Sequence, residues 1–208
     1  MLRNLLFDLG GVVIDICRQD CVDAYTRLGL RDADSYFGLY GQKGIFEAIE
    51  KGTASVDDFH RCMHAALPSG VSDEQIDEAF QAFITGIPLR RLEALREFRK
   101  KYRLYLLSNT NPVMWNGVIA REFAKEGLTR EDYFDGIVTS FEAKALKPDA
   151  AIFRHTVEKL GIKPGETLFF DDSEANTRAA SALGFHTATV LPGTEFTDYL
   201  REWTDAEE

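Results

Sequence analysis

The chain has 208 residues, 45% of them hydrophobic and 28% charged, a globular composition long enough for one ordinary domain plus a smaller insertion. A formal net charge of −10 excludes nucleic acid or an anionic membrane as the main partner, because a polyanion site needs a basic face. A small phosphorylated molecule stays open, since it feels local positive groups within a screening length of about 10 Å. Cys17, Cys21 and Cys62 form neither an even-numbered disulfide framework nor a paired metal spacing. Asp8 and Asp15 interrupt the apolar N-terminus before a signal peptide is complete, and no run approaches the roughly 20 apolar residues of a membrane span. A cytoplasmic protein with no membrane partner is expected.

Leu5-Leu6-Phe7 reads as a buried strand that stops at Asp8, followed at once by Leu9-Gly10-Gly11. From Ile16 to about Gly86 the pattern is helical, without a strand candidate. Ser55 with Asp58 starts one helix in capping-box fashion and Ser72 with Gln75 starts another; Phe59 and Met63 in the first, and Ile76, Ala79 and Phe80 in the second, form apolar stripes. Such helices need partners, so the stretch predicts a small bundle. After Pro88, leucines at helical spacing lead into alternating strands and helices. Strands are predicted over 103–108, 136–140, 167–171 and 186–190, and helices over 112–125, 150–160, 174–183 and 195–203, with Gly161 and Gly184 as C-terminal caps. This alternation predicts an α/β fold with a parallel sheet wrapped by helices on both faces. The chain then divides into a core of 1–15 and 88–208 and an inserted helical cap of 16–87.

Strand ends are where an open parallel sheet places its chemistry. Asp8 is a candidate nucleophile, although Asp before Gly-Gly is also ordinary turn chemistry. Ser108, Asn109 and Thr110 follow the second strand, where a hydroxyl and backbone N–H groups cradle phosphate or simply cap the next helix. Lys147 precedes Pro148, which holds the backbone extended and can aim the ammonium inward; Lys144 is a competitor. Asp171 and Asp172 close a strand of consecutive apolar residues, a poor place for unpaired charge. If they converge with Asp8 they repel one another unless a cation intervenes, and an all-oxygen set suits Mg²⁺ first and Mn²⁺ second. His60 and His64, four apart on a helix, have the spacing of a zinc pair but are expected to edge a cap helix instead.

FDLGGVVID, LLSNTN, the segment from Ser140 through Lys147-Pro148, and FFDDSEAN resemble, in order, the four motifs of the haloacid dehalogenase superfamily. The resemblance covers almost the whole chain. It implies a Rossmann-like core with the first strand central, a helical cap inserted after it, and Mg²⁺-dependent phosphoryl transfer from a small phosphorylated metabolite. By position it makes Asp8 the nucleophile, Ser108, Asn109 and Lys147 the phosphate-binding group, and Asp171 and Asp172 the acidic metal motif. Asp172 would be the more direct ligand, with the Gly10 carbonyl also on the metal and Asn176 bracing the loop. Most phosphatases of the superfamily carry a second Asp two residues after the nucleophile, which protonates the leaving oxygen; this chain has Gly10. General acid help is typically about 10² to 10⁴ in rate, so its loss should slow turnover without abolishing it.

The same Asp-Leu-Gly form resembles a branch that includes sugar-phosphate phosphatases such as bacterial α-D-glucose-1-phosphate phosphatases. Similarity in the cap to that branch makes Lys43, Phe46 and Glu47 expected substrate contacts. Asp15 could act through water, but a turn or hinge role suits it better. Two other functions fit parts of the pattern: a catalytically silent, phosphate-binding regulatory protein, motivated by Gly10, and a haloacid dehalogenase, in which Asp8 would attack carbon and the Asp171-Asp172 pair would have no role.

Overall fold

Leu5-Leu6-Phe7 offers no polar side to solvent, which suits only a strand covered on both faces. In the computed structural model, which describes residues 2–38 and 41–200, that strand, β1 (Asn4–Phe7), is buried throughout and central. The other strands are β2 (Asp15–Ile16), β3 (Ile84–Gly86), β4 (Arg103–Ser108), β5 (Gly136–Thr139), β6 (Thr167–Asp171) and β7 (His186–Thr189). Five of them form a parallel sheet in the order β5-β4-β1-β6-β7. Leu5 pairs with Leu104 on one side and Leu168 on the other, so β1, β4 and β6 end at one edge. Strand alternation sends Leu5 and Phe7 to one apolar cluster and Leu6 to the other, under helices on opposite faces. Phe7 stacks on Phe170 with ring centroids 5.0 Å apart.

Helices Arg18–Leu28, Ile45–Glu50, Val56–Ala66 and Asp73–Gln81 lie between β2 and β3. Both expected capping boxes form, at Ser55 with Asp58 and at Ser72 with Gln75. Tyr25, Phe37, Phe46, Phe59 and Phe80 make the interior of this bundle, with Phe46 meeting the other four at centroid distances of 4.6 to 5.5 Å.

Three expectations are corrected. The stretch 16–86 is not wholly helical: β2 and β3 pair antiparallel, closing the insertion where the chain enters and leaves it. Strands of two and three residues carry too little pattern to be read, and only their pairing defines them. The predicted helix 112–125 is broken into Pro112–Met114, a π segment Trp115–Ile119, Ala120–Phe123 and a 3₁₀ turn. Gly117 departs from helical geometry (φ −93°, ψ −107°), and the Gln81 carboxamide from the insertion packs 2.4 Å from where a Cβ would stand. The strand predicted over 136–140 ends at Thr139, and Ser140 opens a short helix, Ser140–Ala143. Of the helix predicted over 195–203, residues 196–200 are helical and 201–203 lie outside the described residues. Among the described residues no helix is long and apolar enough to cross a membrane.

Candidate active site

The shared edge of β1, β4 and β6 assembles residues from four distant segments. Lys147 Nζ lies 2.8 Å from Asp8 Oδ1 and 2.7 Å from Asp171 Oδ2, and donates to the Leu107 carbonyl at 3.2 Å. One oxygen from each of Asp8, Asp171 and Asp172 falls within 4.8 Å of the other two. Asp171 is wholly buried and its other oxygen accepts from the Ser173 amide (2.8 Å) and Asn176 Nδ2 (2.9 Å). With its acceptors taken by protein donors, Asp171 holds Lys147 and the loop after β6. Asp172 is less buried and faces the cavity.

The loop after Asp8 is shaped for this approach. Leu9 N–H donates to Asp8 Oδ1 at 2.6 Å, and the loop closes through Gly11 N–H to the Ile14 carbonyl at 2.9 Å. Gly11 has φ +72°, and a Cβ there would stand 2.5 Å from Asp172 Oδ2. Only glycine lets the two motifs come this close. Gly10 is different: a Cβ would meet nothing nearer than Ile16 Cγ2 at 3.6 Å, so its backbone does not demand glycine.

Counted as ionised, three carboxylates against one ammonium leave two negative charges in excess in a largely buried site. Burial raises the Asp8 carboxyl well above its ordinary range; Asp171 and Asp172 push the same way, against the opposing pull of Lys147. Burial and repulsion from Asp171 raise Asp172 to about 6. Burial works to strip Lys147 of its proton, but Asp171 and Asp8 outweigh it and the ammonium is held. A divalent cation between the carboxylates would remove this repulsion, and the all-oxygen donors fit a hard ion such as Mg²⁺.

Asp8, Gly10, Ser108, Asn109, Lys147 and Asp172 line one cavity of about 90 Å³. Asn109 does so with its side chain engaged elsewhere: Nδ2 donates to the Lys147 carbonyl (3.0 Å) and Oδ1 accepts the Lys147 amide (2.9 Å). The side chain therefore holds the Lys147 backbone, which leaves the Asn109 backbone as its expected contribution to a phosphate site. The helix after β4 is capped by Asn111, which accepts from Met114 N–H at 3.0 Å. Lys144 points away from Asp8, to the Gly52 carbonyl of the insertion. Asp15 pairs with Arg91 at 2.7 Å, tying the entrance of the insertion to the core, and does not line the cavity. His60 and His64 do have acidic neighbours, Asp77 at 2.8 Å and Asp73 at 2.6 Å, carried on the adjacent helix. These are hydrogen bonds that tie the two helices together, and among the described residues their atoms do not converge as a metal set.

The cap contacts are also corrected. Lys43, Phe46 and Glu47 do not line the cavity; Gln42 and Glu50 do. Phe46 is fully buried in the bundle's aromatic interior, and Lys43 and Glu47 are exposed. Glu50 lies one helical turn after Phe46, at the end of the helix nearest the sheet edge, so position along the helix separates packing from lining. Phe46→Ala is expected to cost about 3–5 kcal/mol in urea unfolding, whereas Lys43→Ala should stay within about 0.5 kcal/mol of wild type.

Ser140, unremarked as a site residue within its motif, accepts the Thr110 amide at 3.0 Å and donates to the Glu50 carbonyl at 2.6 Å. It joins the loop after β4, the segment after β5 and the insertion. Its role needed three distant segments at once, which no local pattern carries.

Comparison with known proteins matches this arrangement. The family model for haloacid dehalogenase-like hydrolases covers residues 2–184. The chain is 37% identical over 200 residues to D-ribitol-5-phosphate phosphatase of Bacteroides thetaiotaomicron, spanning 96% of this chain and 97% of that protein. Among solved structures, a HAD family enzyme of B. thetaiotaomicron in complex with magnesium and inorganic phosphate aligns with TM-score 0.90 and 38% identity, covering 97% of this chain and 100% of that one. A predicted HAD-like hydrolase of Porphyromonas gingivalis aligns with TM-score 0.90 and 31% identity, covering 98% of each chain. With the four strand-end motifs gathered around Lys147 and the carboxylate cluster, the chain belongs to the haloacid dehalogenase-like hydrolase family.

Proposed function

We propose that this protein is a Mg²⁺-dependent phosphatase of small phosphorylated metabolites, with sugar or polyol phosphates as the substrate class. The observation that carries the reading is the two-charge excess of carboxylate around Lys147 at the sheet edge, a site built for a cation and an anion together. The phosphatase activity of the relative named for D-ribitol 5-phosphate supports the substrate class.

Asp8 is the nucleophile. Two donors on its Oδ1, Leu9 N–H and Lys147 Nζ, fix the carboxylate, and Oδ2 accepts no hydrogen bond among the described residues, as an attacking oxygen requires. Attack at phosphorus gives an aspartyl-phosphate and releases the alcohol; water then cleaves the acyl-phosphate and restores Asp8. Lys147 and the Ser108 hydroxyl hold phosphoryl oxygens, and Asp171 keeps Lys147 charged and in place. Asp8, Asp172 and the Gly10 carbonyl would hold Mg²⁺, which when bound offsets negative charge on the phosphoryl group. Residues 16–87 act as the cap that closes over the substrate, with 1–15 and 88–208 as the catalytic core.

A dehalogenase displacing halide at carbon would leave the Asp171-Asp172 pair unused. Gly10 favours the silent binding reading as the alternative. Phosphate release from a panel of sugar and polyol phosphates decides between them. Hydrolysis is expected with Mg²⁺ and should fall by about 10²-fold or more in excess chelator. Rates equal to buffer on every ester, with Mg²⁺ present, would overturn the phosphatase reading and favour the binding role.

A further inference from the structure

In-line displacement puts the attacking and leaving oxygens on opposite sides of phosphorus. Asp8 attacks from the sheet edge, so the leaving oxygen faces the insertion, where Gly10 contributes no acid. Glu50 lines the same 90 Å³ cavity as Asp8 and Lys147, from the far end of helix Ile45–Glu50. A phosphoryl group bound against Asp8 and Lys147 from the cavity side therefore turns its ester oxygen toward the insertion.

The backbone holds Glu50 firmly. Its carbonyl accepts Ser140 Oγ at 2.6 Å, and a Cβ on Gly52 would stand 2.0 Å from the Phe141 carbonyl oxygen, so the end of the helix is seated directly on the core. Its side chain, by contrast, makes no hydrogen bond or ion pair among the described residues, although the residue is only 8% exposed. The groups facing it are Glu47 on its own helix, the Cys21 thiol on helix Arg18–Leu28 and, across the cavity, Lys147 already flanked by two carboxylates. None of these offers a free cation. Beside it, Gln42 Oε1 lines the cavity, buried and without a hydrogen-bond partner, an acceptor suited to a hydroxyl of the departing alcohol.

We propose that Glu50 is the catalytic proton donor to the leaving oxygen, the part that Gly10 cannot play. The inference rests on the phosphatase reading above. As the Asp8 oxygen bonds to phosphorus, the P–O ester bond breaks and the Glu50 proton passes to the ester oxygen, releasing neutral alcohol. Water then cleaves the aspartyl-phosphate, its proton passing to solvent, while Glu50 regains a proton from solvent, so orthophosphate leaves with Asp8 and Glu50 both restored. Burial first, and Glu47 second, raise Glu50 to about 8, so it carries its proton at neutral pH.

The test compares wild type with Glu50→Gln, with Mg²⁺, on two esters: the panel's best alkyl phosphate, D-ribitol 5-phosphate first, and p-nitrophenyl phosphate, whose leaving group needs no proton. On the alkyl ester, kcat should fall by about 10²- to 10⁴-fold with KM nearly unchanged, while p-nitrophenyl phosphate turnover stays within about threefold. The wild-type decline in alkyl-ester kcat above about pH 8 should disappear in the variant. Retained p-nitrophenyl phosphate turnover also reports that the variant is folded. Equal loss on both esters, no loss on either, or a change confined to KM would overturn the proposal and leave the phosphatase reading standing. Wild type inactive on both esters would overturn both.

Discussion

Asp8→Asn is expected to abolish phosphate release, by at least about 10⁴-fold, while raising the melting temperature of the metal-free protein. The rate effect follows because an amide oxygen is a poor nucleophile and the acyl-phosphate cannot form. The stability effect has the opposite sign because the native site holds more carboxylate than its one ammonium can balance. A carboxyl raised on folding costs stability once the unfolded chain ionises, a cost that grows until the pH passes the native value. Asp8 is shifted in that direction, and Asp172 adds the same sign between about 3.8 and 6. Metal-free wild type should therefore lose stability relative to Asp8→Asn as pH rises above about 3.8, where Asp8 of the unfolded chain ionises. Differential scanning calorimetry in chelator at several pH values measures it. A melting temperature lowered at every pH would mean that the Lys147 pairing outweighs the crowding of carboxylates.

Replacing Lys147 with Met should be the most damaging single change to the charged cluster of the metal-free fold. Its ammonium is the shared partner of Asp8 and Asp171, both buried, and donates to the Leu107 carbonyl as well. Met keeps the apolar stem and removes the charge, which leaves two close carboxylates with no cation. Breaking a buried pair in this way typically costs about 3–5 kcal/mol. Urea unfolding in chelator should show a loss of that order, and Mg²⁺ should recover part of it by restoring positive charge to the cluster. Turnover should fall by about 10²-fold or more even when the protein is folded, since the phosphoryl group loses its charged partner. An unfolding midpoint unchanged from wild type would contradict the charge accounting on which the site rests.

Much of the fold is legible locally. The apolar runs at 5–7 and 168–170 announce doubly covered strands, and Ser55 and Ser72 announce helix starts that the structure contains. What eluded reading depends on partners remote in sequence. Gly117 breaks its helix where the Gln81 side chain from the insertion needs the room, and β2 and β3 exist only as each other's partners. The site divides in the same way. Asp8, Ser108, Lys147, Asp171 and Asp172 stand at or near strand ends, where a parallel sheet gathers them whatever the loops do. Asn109 carries the right residue type for phosphate, yet its carboxamide is spent on the Lys147 backbone. Phe46 has the aromatic bulk of a substrate contact and is committed to the bundle interior.

By itself the amino-acid order determined the strand and helix alternation and the identity of the charged residues at the strand ends, because hydrophobic period and strand termination are properties of neighbouring residues. Tertiary structure alone decided which face of the insertion meets Asp8. Glu50 and Gln42 reach the cavity, and Lys43 and Glu47 do not, because the end of helix Ile45–Glu50 is seated on Ser140 and Phe141. That seating is a contact between segments some 90 positions apart, and its free energy depends on the shape of both surfaces, which no short stretch of either encodes.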